Sequence, residues 1–180
     1  MKLLVISGST RKGSFNTRLA QLVAVLRPSD EVEVVSNLAE LPFYDGDTEV
    51  QGWPETVSGL REAVDAADGV VIVTPEYNGA VPGVLSNAVD WLSRPAGDSV
   101  LKNKVVQVLS ASPGRYGGAR AAGLLREVLG RIGAIVLESG LSVDSAHLKL
   151  KDETPDPVIV PALTAALDEL AFAVSREVAA

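Results

Sequence analysis

The stretch that decides the fold is MKLLVISGSTRKGSF, residues 1–15. Leu3, Leu4, Val5 and Ile6 form a short apolar run, the mark of a strand buried on both faces. The run ends at Ser7 and Gly8 and gives way to small, hydroxylic and basic residues: Ser9, Thr10, Arg11, Lys12, Gly13 and Ser14. Helical spacing of apolar residues then begins, at Leu19, Leu22, Val23 and Leu26. A buried strand that enters a helix through such a loop gathers backbone N–H groups, hydroxyls and a guanidinium around one point. The helix N-terminus adds partial positive charge there, so the predicted ligand is a phosphate.

The loop chemistry narrows the phosphate. Gly8 and Gly13 have the separation of the two Walker-loop glycines, but Ser14 and Phe15 stand where Lys-Ser/Thr belongs, which argues against a nucleoside triphosphatase. The dinucleotide fingerprint G-x-G-x-x-G is absent as well. A Ser/Thr-rich loop suits a terminal monophosphate, whose several oxygens accept from hydroxyls. Charge agrees: residues 1–29 contain Lys2, Arg11, Lys12, Arg18 and Arg27 and no acid, although the whole chain carries −7.

A length of 180 residues fits one domain, residues 1–180, and a hydrophobic content of 47% is globular. No apolar run reaches membrane-spanning length, and the opening apolar segment is too short, and lacks a cleavage site, for a signal peptide. The absence of cysteine excludes disulfides, thiolate metal sites and dithiol redox chemistry. His147, the single histidine, leaves no multi-histidine metal site or conventional hydrolase triad, and no metal site is expected. Net acidity argues against nucleic acid as the main partner, and the expected setting is the cytosol.

Strand and helix patterns alternate along the chain. Strands are expected at residues 3–6, 32–35, 69–74, 105–109 and 134–137, with helices near 19–27, 55–67, 83–92, 119–132 and 161–178. Residues 41–52, rich in Pro, Tyr, Asp and Gly, read as a loop. Such alternation implies a doubly wound parallel sheet with helices on both faces, and a phosphate loop after the first of five strands suggests the flavodoxin-like order 2-1-3-4-5.

In such a sheet ligands bind outside the carboxyl ends of the strands. The loop after the third strand, TPEYNGAVPG (74–83), is stiffened by Pro75 and Pro82 and offers the ring of Tyr77 and the amide of Asn78. The loop after the fourth, SASPGRYGG (110–118), is glycine-rich and enters a helix. Each alone reads equally well as ordinary strand-ending punctuation. Three at one sheet edge suit a planar heterocycle with a phosphate tail.

These loops carry a resemblance to the NAD(P)H-dependent FMN reductases of flavodoxin-like fold, the group that includes bacterial quinone, chromate and azo-dye reductases. GSTRKGSFN (8–16) is similar to the family's G-S-x-R-x-x-S-x-N phosphate loop. PEYN (75–78), continuing through Pro82 and Gly83 to NAVDWLSR (87–94), is similar to its P-E-Y-N…P-G-x-L-x-N-A-x-D-W signature, and SPG (112–114) with GGARA (117–121) resembles its third loop. The likeness runs from residue 3 to about residue 139. Ser86 departs from it where a basic residue is common, and the tail after Ser142 carries no motif.

The resemblance implies that Ser9, Arg11, Ser14, Asn16 and Thr17 hold the FMN phosphate, with Thr10 and Phe15 in the same loop. It places Pro75, Glu76, Tyr77, Asn78 and Gly79 against ribityl and ring, and Ser112, Gly114, Gly117 and Gly118 along the ring's other edge. Asn16 and Thr17 also read as helix caps, and Tyr77 as a half-buried loop aromatic. NADPH or NADH would be the hydride donor, without a discernible preference, and a quinone or similar small molecule the acceptor. No side chain is required as a general acid, so no catalytic residue is named. An electron carrier of flavodoxin type and a non-catalytic flavin-binding module are the rival readings, and turnover of NADPH with a quinone separates them. The family also implies a homodimer or homotetramer. The helix after Pro82 is strongly apolar, so Val89, Trp91 and Leu92 are candidate anchors of the interface, against burial beneath the chain's own sheet.

Overall fold

Every residue of Gly69–Thr74 is buried, and this strand, β3, lies at the centre of the molecule. The computed structural model describes residues 1–151 and 156–178. β1 (Lys2–Ser7) pairs in parallel with β3 and with β2 (Glu31–Val35), and β4 (Val105–Ala111) pairs in parallel with β3's other edge. The sheet order is 2-1-3-4-5, the doubly wound arrangement of a flavodoxin-like fold.

Side-chain alternation explains why helices cover both faces. Leu3, Val5, Val71, Val73, Val105 and Leu109 point to one core with α1 (Phe15–Leu26) and α7 (Ile159–Val178). Leu4, Ile6, Val70, Ile72, Val106 and Val108 point to the other, under α3 (Glu55–Ala66), α4 (Gly83–Leu92) and α5 (Ala119–Arg131). Continuous apolar runs are what strands buried on both faces require.

The structure departs from the sequence reading in three places. A helix α2 (Gly46–Gln51) interrupts the expected loop at 41–52; none of its residues is buried, so no amphipathic signal announced it, and the Asp45 side chain caps it by accepting from the N–H of Asp47 at 2.8 Å. β4 runs two residues beyond Leu109, which carries the sheet to Ala111 at the site. The fifth position of the sheet is shared by two short strands, β5 (Ile135–Val136) and β6 (Ser142–Val143), both pairing with β4. A single turn, α6 (Ala146–Lys149), follows β6. Among the described residues no helix is long and apolar enough to cross a membrane.

Candidate functional site

Loop one leaves β1 at Gly8, whose N–H donates to the Val73 carbonyl at 2.8 Å. A Cβ on Gly8 would come within 2.7 Å of Leu85 Cδ2 and 3.3 Å of the Val73 carbonyl oxygen, so α4 and β3 pack closely against this position. Ser14 is the N-cap of α1: its extended backbone (φ −63, ψ 133) lets Oγ accept from the N–H of Asn16 at 3.2 Å. No acid stands in the first turn of α1. Ser9 and Ser14 are buried while Thr10, Arg11 and Lys12 are exposed. The Arg11 guanidinium stands 5.6 Å from the centre of the Phe15 ring, and Arg18 stands 5.8 Å from it. Among the described residues, none of Arg11, Lys12 and Arg18 enters an ion pair. The loop is therefore a cationic, hydroxyl-lined N-terminus, as its sequence predicts.

Two loop-one residues are engaged inside the protein. The amide of buried Asn16 donates to the Ala111 carbonyl and accepts from the Ala111 N–H, both at 2.9 Å. The hydroxyls of Thr17 and Ser7 lie 2.9 Å apart.

Loop two turns back on itself. Tyr77 and Ala80 exchange backbone hydrogen bonds of 3.1 and 3.0 Å around Asn78 (φ 55) and Gly79 (φ 74). Positive φ at both central positions is the type I′ condition, which Asn-Gly meets best. Tyr77 is half exposed on this turn. The carboxylate of Glu76 accepts from the N–H groups of Arg120 and Ala121, at 3.2 and 3.3 Å, and so fills the N-terminus of α5.

Loop three rests on β6 and α6. The Ser112 N–H donates to the Val143 carbonyl, and the Ala146 N–H donates to the Ser112 carbonyl, both at 3.0 Å. Gly117 (φ +61) backs onto the Ser142–Asp144 backbone, where a Cβ would meet atoms at 2.7 Å. Gly118 (φ +87) starts α5 against Ser110. These glycines act by close backbone packing.

The three loops enclose a cleft of about 340 Å³ lined by Ser9, Arg11, Ser14, Phe15 and Asn16 of loop one, Pro75, Glu76 and Tyr77 of loop two, and Ser112 of loop three. Asn78, Gly79, Gly114, Gly117 and Gly118 do not line it, and Thr10 and Thr17 line an adjoining hollow of about 330 Å³ that shares Ser9, Arg11 and Ser14. Ala111 and Pro113 also line the cleft, and sequence reasoning missed both. Ala111 was hidden by ending β4 too early, and Pro113 by taking only the serine and glycines of the third loop. His147 is exposed and outside the cleft. No cluster of three metal-ligating side chains occurs among the described residues.

Val89, Trp91 and Leu92 are buried within this chain, which corrects their candidacy as interface anchors. The Trp91 indole N–H donates to the Pro42 carbonyl at 2.8 Å, and its ring meets Tyr44 edge-on with centroids 5.0 Å apart. Asn87 donates to the same carbonyl at 2.9 Å and accepts from the Tyr44 N–H at 2.8 Å. This surplus of apolar and polar capacity on α4 serves to pin the segment after β2.

The family model described as NADPH-dependent FMN reductase matches residues 1–148. Over 139 residues the chain is 44% identical to a quinone reductase of Escherichia coli (strain K12), covering 76% of this chain and 73% of that protein. It is 39% identical over 137 residues to a 2-hydroxy-1,4-benzoquinone reductase of Burkholderia sp, covering 76% and 74% of the two chains. Among solved structures, the flavoenzyme NAD(P)H:(acceptor) oxidoreductase FerB from Paracoccus denitrificans superposes with a TM-score of 0.85 at 26% identity, over 98% of each chain.

Proposed function

The chain belongs to the NADPH-dependent FMN reductase family, and from that premise we propose that it passes electrons from NADPH or NADH to quinones or similar small acceptors, with FMN seated in the three-loop cleft. Free flavins, chromate, azo and nitro compounds are the further acceptors proposed. When bound, FMN supplies the hydride chemistry, which a chain with no cysteine and a single histidine outside the cleft leaves to a cofactor.

The observation that carries this reading is one open phosphate cradle at the sheet edge. The N-terminus of α1 stands free of acid beneath loop one, whereas the Glu76 carboxylate already occupies that of α5. One phosphate and one flat ring match FMN, with the phosphate at the open α1 N-terminus. Ser9, Thr10, Arg11 and Ser14 are assigned to the phosphate, with Thr17 beside them. Phe15 lies beneath the Arg11 guanidinium, and Asn16 ties loop one to loop three. Pro75, Glu76 and Tyr77, the last on its Asn78-Gly79 turn, form one wall for the ring. Ser112 forms the other, carried by the backbone of Gly114, Gly117 and Gly118.

The cytosol is the proposed setting. The proposed assembly is a homodimer, extensible to a homotetramer. With Trp91 withdrawn into the core, the outward pair Leu124 and Val128 on α5, 45% and 43% exposed, is the surface assigned to it.

Purification, release of the flavin by heat and chromatography identify the cofactor, and steady-state oxidation of NADPH and NADH with menadione tests turnover. FMN together with quinone-dependent oxidation is expected. Recovery of FAD as the dominant flavin, or bound FMN without turnover of either nicotinamide, overturns the reading.

A further inference from the structure

Val108 pairs with Ile72 of β3 on one side, but on the outer edge of β4 no strand pairs with it. β5 pairs with Val105 and Val106, and β6 with Ser110 and Ala111, so the edge between them is left to side chains. The Val108 N–H donates to Oε1 of Gln107 at 3.0 Å, and the Val108 carbonyl accepts from Nη2 of Arg126 at 2.9 Å. Arg126 reaches this edge from α5, and its Nε is buried with no hydrogen-bond partner among the described residues. Burial lowers its pKa from the ordinary guanidinium value, and no ion pair among the described residues involves it. Space for the guanidinium exists because residue 140 is glycine: a Cβ there would overlap both Arg126 Nη2 and the Val108 carbonyl oxygen.

A continuous fifth strand would satisfy the Val108 edge with backbone groups and leave no half-buried cation to desolvate. The split has a different consequence. It lets the chain leave the sheet after Leu137 and return beside Ser110, where β6 supports loop three. Ser142 Oγ lies 2.9 Å from Ser110 Oγ, the Val143 carbonyl takes the Ser112 N–H, and the Ser142–Asp144 backbone backs Gly117.

We propose that Arg126 is a positioning residue for the cofactor site: filling the gap between β5 and β6, it sets where β6 lies and hence where Ser112 stands against the cleft. The proposal rests on the reading of loop three as one wall of the FMN site. Gly140 is its partner, since it makes room for the guanidinium.

The test compares Arg126→Met, Arg126→Lys and Gly140→Ala with wild type in two measurements. One is amide hydrogen exchange at Ser112 and Ala146, with Gly8, bonded to Val73, as the internal reference. The other is the dissociation constant for FMN, from fluorescence recovery on serial dilution of the holoprotein. Arg126→Met should speed exchange at Ser112 and Ala146 while sparing Gly8, and weaken FMN about tenfold, the scale of one hydrogen bond lost between a displaced Ser112 and the cofactor. Lysine retains a donor for the Val108 carbonyl and should recover part of both changes. Gly140→Ala, which crowds the guanidinium without removing it, should reproduce them and serves in place of Arg126→Met if that variant does not fold. Unchanged exchange at Ser112 in a folded variant overturns the role of Arg126. Faster exchange with wild-type FMN affinity overturns it by a different route, by showing that loop three is not a wall of the flavin site.

Discussion

Asn16 and Ala111 exchange two hydrogen bonds, Nδ2–H to carbonyl and N–H to Oδ1, each 2.9 Å long and buried. Asparagine is suited to this pairing because its side-chain amide presents a donor and an acceptor side by side, as a backbone peptide does. The pair spans 95 residues of sequence and joins the first residues of α1 to the end of β4. Loops one and three, which both line the cleft, are thereby tied to each other.

Asn16→Asp should therefore be more damaging than its isosteric shape suggests. An ionised carboxylate accepts only, so the Ala111 carbonyl loses its donor in a buried setting, at a cost of about 1–3 kcal/mol. For a chain of this size that corresponds to a fall in Tm of roughly 2–4 °C per kcal/mol. Calorimetry of the FMN-free protein measures it, and a variant as stable as wild type would remove the clamp from the account.

Ser14→Ala and Arg11→Ala should separate two effects. Ser14 caps α1, so its replacement should cost about 1 kcal/mol of stability even without flavin. Arg11 is exposed and enters no ion pair among the described residues, so its loss should leave stability of the FMN-free protein unchanged. Both should weaken FMN roughly ten- to hundredfold through a lost hydrogen bond to a charged phosphate. Urea unfolding and flavin-fluorescence titration read the two effects; equal FMN affinity in both variants and wild type would count against the phosphate assignment.

Trp91→Ala should act on stability, by about 3–5 kcal/mol for a fully buried aromatic. It should leave the sedimentation coefficient of the folded protein unchanged. Trp91→Phe keeps most of the ring volume but leaves the Pro42 carbonyl without the indole N–H, so it should cost less and chiefly loosen the segment around Tyr44. A Trp91→Ala protein of wild-type stability with a shifted sedimentation coefficient would return this residue to an interface.

Asp144 predicts a pH effect. The Lys149 ammonium, bonded at 2.6 Å, and then the Ser145 hydroxyl hold its carboxyl below the ordinary pKa of 3.8. A carboxylate whose folded pKa is depressed contributes stability that is complete above its ordinary value and is lost as pH falls through the folded one. As pH falls below about 4, wild type should thus lose more stability than Asp144→Asn, by a small margin because the pair is partly solvated. Parallel acid limbs for the two proteins would assign acid sensitivity elsewhere.

The strands, most helices and the ligand class were legible because their signals are local. Buried apolar runs mark β1, β3 and β4; Ser14 announces the start of α1; Asn78-Gly79 announces a tight turn. Short elements escaped notice for the converse reason. α2 buries nothing and so leaves no periodic trace, and the room for Arg126 beside Val108 requires Gly140, a residue whose own neighbours give no hint of Arg126.

The local patterns of the amino-acid sequence carried the alternating α/β class, the order of the sheet and a basic, hydroxyl-rich first loop, since backbone propensity and hydrophobic period act over a few neighbouring residues. Tertiary structure decided which partner each polar group takes. Asn16 meets Ala111, Glu76 meets the start of α5, Trp91 meets Pro42 and Arg126 meets Val108. Each of those contacts crosses from one element to another, and a polar group withdrawn from water takes its complement wherever packing has placed one, because an unpaired buried group costs about 1–3 kcal/mol.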